Sequence, residues 1–228
     1  MLKILHLETA TDICSVGLSE GDQLISIQET DEIRDHTRVI TLMIEQVMEQ
    51  TGYSLSELDA VSLSEGPGSY TSLRVGMSAA KALCFGLDKP LITVNTLYAL
   101  AGAAKESGDD FDYYCSMIDA RRMEVYLSLY DAGLGVMVDN EAVILTETLF
   151  DPYLESKKRI LICGSGSAKA EAVFPGKAVH RSLVVCSAKH LVKPALYNYE
   201  NGLFADIAYF SPNYIKSPNI TKAKNKLL

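Results

Sequence analysis

Ser64-Glu-Gly-Pro-Gly-Ser-Tyr-Thr-Ser-Leu-Arg-Val-Gly-Met-Ser-Ala-Ala-Lys-Ala-Leu-Cys84 is the stretch on which the reading of this chain turns. It reads as the end of a buried strand, a sharp glycine-proline turn and then a helix. On a wheel of about 100° per residue, Arg74, Ser78 and Lys81 share one narrow stripe. Val75, Gly76, Met77, Ala79, Ala80, Ala82, Leu83, Cys84 and Leu87 spread over roughly 220° of the remainder, where an ordinary surface helix shows about 100°. The helix is therefore expected to be covered on two sides, by its own sheet and by a second body.

Working outward, residues 2–8, 13–19 and 23–29 alternate or run apolar, with turn signals at Ala10-Thr-Asp12 and Glu20-Gly-Asp22. They read as three strands joined by tight hairpins. Val39, Ile40, Met43, Ile44, Val47 and Met48 repeat at helical spacing from His36 to Gln50, and Gly52 closes that helix. A strand at Leu58–Ser64 leads into the opening stretch, whose helix is broken by Lys89-Pro90. A short strand at Leu91–Val94 and a helix at Thr96–Glu106 follow. A second set then begins, with paired strands at Tyr113–Ile118 and Glu124–Tyr130 and a shorter one at Glu141–Leu145. A helix at Glu147–Glu155, a strand at Arg159–Cys163, a helix at Ser167–Phe174 and a last helix at Ser187–Phe204, interrupted near Pro194, complete it. This order predicts two α/β lobes. Residues 1–97 are assigned to the first lobe, joined by 196–216, residues 98–195 to the second, and 217–228 to a basic tail. No repeat of 20–50 residues shows clear identity.

The composition is that of a folded chain: 228 residues, 48% hydrophobic, 22% charged. No apolar run approaches the roughly 18 residues of a membrane span, and Met1–Glu8 reads as a first strand and lacks the core of a signal peptide. Five cysteines without a C-x-x-C pair read as buried thiols of a reducing, cytoplasmic setting. A net charge of −8 argues against a broad nucleic-acid grip by the chain alone.

Chemistry-bearing patterns are sparse. Gly66-Pro67-Gly68 stands at a helix start, where free N–H groups favour anions, yet Pro67 removes a donor and Glu65 adds negative charge. It reads as a tight turn or a phosphate cradle. Cys163-Gly-Ser-Gly-Ser-Ala-Lys169 is a second glycine loop between strand and helix. Asp12, Asp119, Gly164 and Gly166 are the candidates for a vestigial nucleotide site in a cleft, with weak ATP or ADP binding at most and no required cofactor. Glu8 and Asp12 could hold a metal ion or cap a turn, and Asp119-Ala-Arg-Arg122 is a charged turn or a substrate site. The four histidines form no H-x-x-x-H pair, because Ile40 follows His36 at the position a second ligand would need. No G-x-S-x-G elbow or reactive-cysteine signature is present.

Leu7-Glu-Thr-Ala-Thr-Asp12, Ser64–Gly76, Ile118-Asp-Ala-Arg-Arg-Met-Glu-Val-Tyr126 and Pro212-Asn-Tyr-Ile-Lys216 together resemble the TsaB (YeaZ) family of tRNA threonylcarbamoyladenosine biosynthesis. The match runs over essentially the whole chain in order. Ser72 and Met123 depart from it, standing where glycine is usual or common. The resemblance implies a two-lobed actin/Hsp70/sugar-kinase-like (ribonuclease H-like) α/β fold. It also implies a non-catalytic partner of the paralogous enzyme TsaD, with no metal because Ile40 replaces the second ligand. The ATPase TsaE would be a third member, and tRNA would be held through the complex. TsaD is expected to dock on two N-lobe helices, where Val39, Ile40, Met43, Val47, Leu73, Gly76, Met77, Ala80 and Leu83 divide between core and partner. The same surface is expected to form a homodimer in isolation. The other reading of the residues is a cleft-binding ATPase or small-molecule kinase.

Overall fold

A computed structural model describes residues 1–30, 36–108, 110–174 and 178–216. Five strands form the first sheet: β1 (Lys3–Glu8), β2 (Cys14–Glu20), β3 (Gln23–Thr30), β4 (Ala60–Gly66) and β5 (Leu91–Asn95). Their order across the sheet is β3-β2-β1-β4-β5, with β1 antiparallel to β2 and parallel to β4. The second sheet is built from β6 (Tyr113–Asp119), β7 (Glu124–Asp131), β8 (Val136–Ile144), β9 (Ile160–Cys163) and β10 (Val179–Arg181). Its order, β8-β7-β6-β9-β10, repeats the first sheet's plan: three antiparallel strands, then two parallel ones.

Five helices pack on these sheets: α1 (His36–Thr51), α2 (Tyr70–Leu87), α3 (Thr96–Glu106), α4 (Ser167–Val173) and α5 (Val192–Glu200). Leu5 and Leu7 of β1 point to the α1/α2 side and pack with Val47, Ala80 and Cys84. Ile4 points the other way, against Ala99 of α3, Leu191 and Ala195. This is the period-two alternation of a strand covered on both faces. α3 is shared between the lobes. Ala99 packs on the first sheet, while Leu97, Leu100, Ala101 and Ala104 pack with Tyr114, Ile118 and Tyr130 of the second. Asn95 caps α3 by accepting from the Tyr98 amide and reaches Asn140 of β8 with its own amide. α4 covers the outer side of the second sheet through Ala170.

The differences from the sequence reading are local. The expected strand at Glu141–Leu145 begins earlier, at Val136, and bulges where it crosses Leu127–Tyr130. Glu147–Glu155 makes no α-helix but leads into two 3-10 turns, Asp151–Tyr153 and Glu155–Lys157. β10 was not foreseen. The last helix is broken before Pro194: a 3-10 turn spans Ala188–Leu191, and α5 holds the proline in its first turn, where an N–H has no helical partner to lose. That 3-10 turn already packs on the first sheet through Ala188 and Leu191, so the chain returns there before residue 196. The assigned tail 217–228 lies outside the described residues.

Candidate functional site

The carboxyl ends of β1, β4, β6 and β9 converge on a cleft between the sheets, the usual place for a crevice in such folds. Its cavity measures about 980 Å³. The walls are the loops around Thr11, Gly68, Asp119–Arg122 and Ser165, together with Asn213–Lys216 of the C-terminal segment.

Close backbone approaches set its floor. The Ser69 amide donates to Ala10 O at 2.7 Å. A Cβ on Gly68 would lie 2.3 Å from that same oxygen, so only glycine fits. The turn after β4 is therefore tight packing. Glu8, buried beneath the floor, accepts from the Ala10 amide at 2.7 Å and from the Ser64 hydroxyl at 2.9 Å. Burial pushes its carboxyl up to about 7 despite those donors.

Asp12 and Asp119 both line the cleft, and Gly164 and Gly166 do not. The Gly164 amide donates to Val184 O and the Gly166 amide to Met117 O, and a Cβ on Gly164 would lie 2.3 Å from Met117 O. This loop packs β9 against β6. The amides of both glycines are already committed, and the residues do not fit a phosphate cradle. Asp119 is itself engaged, by Lys169 Nζ at 2.7 Å and by the Arg121 amide at 2.6 Å.

His36 uses Nε2 on Thr11 O at 3.0 Å, and Ile40, one turn on, is buried in the core. Among the described residues no group of three or more His, Cys, Asp or Glu could hold a metal ion. All five cysteines are buried free thiols; burial raises Cys14 and Cys163 to about 12 and Cys84 to about 11. The contact of His6 Nδ1 with Ser62 Oγ at 2.6 Å has the distance of a serine–histidine dyad. His6 has no exposed surface, however, and its other nitrogen meets Ser19 Oγ at 2.8 Å. The three side chains are a buried polar bridge across β4, β1 and β2.

The nine expected interface positions divide. Ile40, Met43, Val47, Leu73, Gly76 and Ala80 are buried within the chain's own structure, whereas Val39, Met77 and Leu83 stay half-buried. The large apolar side chains most open to solvent on α1 and α2 are Leu42 (54% exposed) and Phe85 (84%), neither of them among the nine. The wheel carried the signal for Phe85: eleven residues beyond Arg74, it falls about 20° from it, inside the stripe taken as polar. Arg121 and Arg122, in the turn that the sequence offers as a charged turn or a substrate site, have no ion-pair partner among the described residues, which the local pattern Asp119–Arg122 does not reveal.

Three comparisons bear on this architecture. The family model described as "TsaD: tRNA N6-adenosine threonylcarbamoyltransferase" matches residues 26–227. The tRNA threonylcarbamoyladenosine biosynthesis protein TsaB of Escherichia coli is 31% identical over 169 residues, 72% of each chain. The protein of that name from Haemophilus influenzae is 39% identical over 127 residues, and the matched part spans 56% of this chain and about half (53%) of that protein. A solved structure, "YeaZ from Pseudomonas aeruginosa", superposes with a TM-score of 0.81 at 22% identity, covering 94% of this chain and 100% of that one. The architecture is the two-lobed actin/Hsp70/sugar-kinase-like fold, one strand order used twice. Among the described residues no helix is long and apolar enough to cross a membrane.

Proposed function

Since the chain belongs to the TsaB (YeaZ) family of tRNA threonylcarbamoyladenosine biosynthesis proteins, we propose that it is that pathway's non-catalytic partner of TsaD. In this reading it docks on TsaD and holds it competent to transfer a threonylcarbamoyl group to adenosine-37 of tRNAs reading codons that begin with A. TsaE joins the larger complex, the chain pairs with itself when TsaD is missing, and the assembly works in the cytoplasm. The chain needs no cofactor of its own and takes ATP or ADP weakly at most.

The outer face of α1 and α2 carries the reading. Phe85 of α2 and Leu42 of α1 stand open to solvent, while Val39, Met77 and Leu83 are half-buried against the chain's own core. An apolar face of this kind rarely stays bare in a soluble assembly. The cleft adds support, because its described residues assemble no nucleophile with a base and no metal-ligand set.

Co-purification with tagged TsaD is the test. Leu42→Glu and Phe85→Glu change exposed side chains, so both variants should keep the wild-type melting temperature within about 2 °C. Each should lower the recovered complex about tenfold or more, the cost of a buried unpaired charge at an interface. Undiminished recovery with both variants would refute the docking face. Given threonylcarbamoyl-adenylate and tRNA, the chain alone should show no turnover; transfer without TsaD would refute the non-catalytic role.

A further inference from the structure

We propose that the mouth of the cleft is an RNA site: Arg121 and Arg122 hold backbone phosphates, and tyrosines on the facing wall stack on unpaired bases. The choice of RNA rests on the role in tRNA modification proposed above, but the site stands on its own geometry.

The turn between β6 and β7 is closed by Glu124 N donating to Arg121 O and Ala120 N to Glu124 O, both at 3.1 Å. Two consecutive residues of the loop are left-handed, Arg121 at φ 72° and Arg122 at φ 50°. Glycine or asparagine is the ordinary occupant of such positions, and arginine persists there only because the surroundings hold the turn. Lys169 does the holding. Its Nζ donates to Asp119 Oδ1 and Arg122 O at 2.7 Å and to Glu124 O at 2.9 Å.

The same contacts remove the acids that would neutralise the arginines. Asp119 is taken by Lys169, and Glu124 by Lys216. Both guanidinium side chains are exposed on the cleft, and among the described residues neither has an ion-pair partner. Asp12 is the one acid lining the cleft for which no such partner is described. A chain of net charge −8 thus presents a locally positive rim.

Across the cleft, the Tyr70 and Tyr214 rings pack with centroids 4.7 Å apart and planes tilted by 42°. Arg74 lies 4.0 Å over the Tyr70 ring, and its Nε donates to the Tyr214 hydroxyl at 3.2 Å. Tyr126 lines the second lobe's side. Cations interleaved with aromatic faces suit a backbone with splayed bases, because every base offers a π-face and every phosphate a charge. A free nucleotide suits it less: the amides of Ser69, Asp119, Ala120, Arg121, Gly164 and Gly166 are already bonded within the chain.

The experiment is fluorescence anisotropy of a labelled anticodon stem-loop RNA with the full chain over a salt series. Wild type is compared with Arg121→Gly/Arg122→Gly, whose glycines suit the left-handed backbone and keep the fold, and with Arg121→Lys/Arg122→Lys. The wild type is expected to bind, and the glycine pair to lose at least tenfold in affinity at about 50 mM salt. Its log–log salt slope should fall by about 1.4, two phosphates at about 0.7 each on a single strand. The lysine pair should keep most of the slope. ATP or polyglutamate in excess should leave the RNA bound. No binding by the wild type at about 20 mM salt, or an unchanged slope in the glycine pair, overturns the site. Displacement by micromolar ATP would make the cleft a nucleotide pocket, and displacement by polyglutamate an acidic-protein surface. TsaD co-purification with the glycine pair, run alongside, should be unaffected; a wild type that fails to recover TsaD while binding RNA would refute the docking proposal alone.

Discussion

His6 and Glu8 lie two residues apart on the same face of β1, and burial drives their titrations in opposite senses. Burial lowers His6 to about 3, because the imidazolium loses its hydration and gains no anion. Between pH 3 and its ordinary 6.5 the unfolded chain therefore binds more protons, and His6 makes stability rise with pH across that window. Glu8, raised from 4.5 to about 7, binds more protons folded than unfolded between those values, so it makes stability fall as pH rises through them. The two effects oppose each other from about pH 4.5 to 6.5. Glu8→Gln keeps an acceptor for the Ala10 amide and the Ser64 hydroxyl without the buried charge. Urea unfolding should show it about 1–3 kcal/mol more stable than wild type at pH 8 and close to wild type at pH 4. His6→Asn should cost about 1–3 kcal/mol at pH 7, by leaving a serine hydroxyl unpaired, and should flatten the rise of stability from pH 4 to 6. A wild-type slope retained in His6→Asn would mean that other groups carry it. Glu8 was legible as a turn cap or a metal ligand; the Ala10 contact makes it a cap, which spacing alone does not separate from ligation.

At the scale of the element, α2 is the instructive case. Its breadth of apolar surface was legible, but the wheel does not say which small residues face inward. Gly76 and Ala80 turn to the core: a Cβ on Gly76 would meet Thr9 Oγ1 at 2.2 Å, and Ala80 is fully buried. Glutamate at position 80 would bury an unpaired charge, so Ala80→Glu should unfold the first lobe or cost about 4 kcal/mol or more, read by loss of the cooperative thermal transition. A folded Ala80→Glu would show that α2 can turn this face outward. The solvent-facing Phe85 and Leu42 test docking without touching the core. The elements least legible were those held by neighbours. β10 is three residues of Val-His-Arg that pair only because β9 offers its open edge. The stretch from Glu147 has helical composition, yet Phe150 is drawn into the second lobe's core beside Phe174, and short 3-10 turns follow.

For the whole molecule, the decisive features join distant parts of the chain. α3 packs on both sheets, and the C-terminal segment straps across the cleft mouth. Ala205 bridges Leu91, Lys81 Nζ reaches Phe210 O at 2.7 Å, Asn213 N donates to Glu65 O, and Lys216 pairs with Glu124 of the second lobe. Tyr214→Ala removes the Tyr70 ring contact and the Arg74 hydrogen bond. It should cost about 1–2 kcal/mol, lower the melting temperature by about 2–6 °C, and speed hydrogen exchange at the Asn213 amide. Unaltered exchange there would show that the strap does not depend on that ring contact. The duplicated strand order had no counterpart in sequence identity, because a sheet's plan needs only the period and burial of its strands, which many side chains satisfy. What the amino-acid order determined by itself was therefore local and periodic: the strands and helices of the first lobe nearly to the residue, the glycine-proline turn, and the excess apolar surface of α2. Tertiary contacts alone settled which face of α2 meets water, which acids Lys169 and Lys216 take from the cleft, and that Arg121 and Arg122 stand at its mouth with no ion-pair partner among the described residues. Those outcomes depend on contacts distant in sequence, such as Lys169 with Asp119, 50 positions away, and Lys216 with Glu124, and no local pattern encodes them.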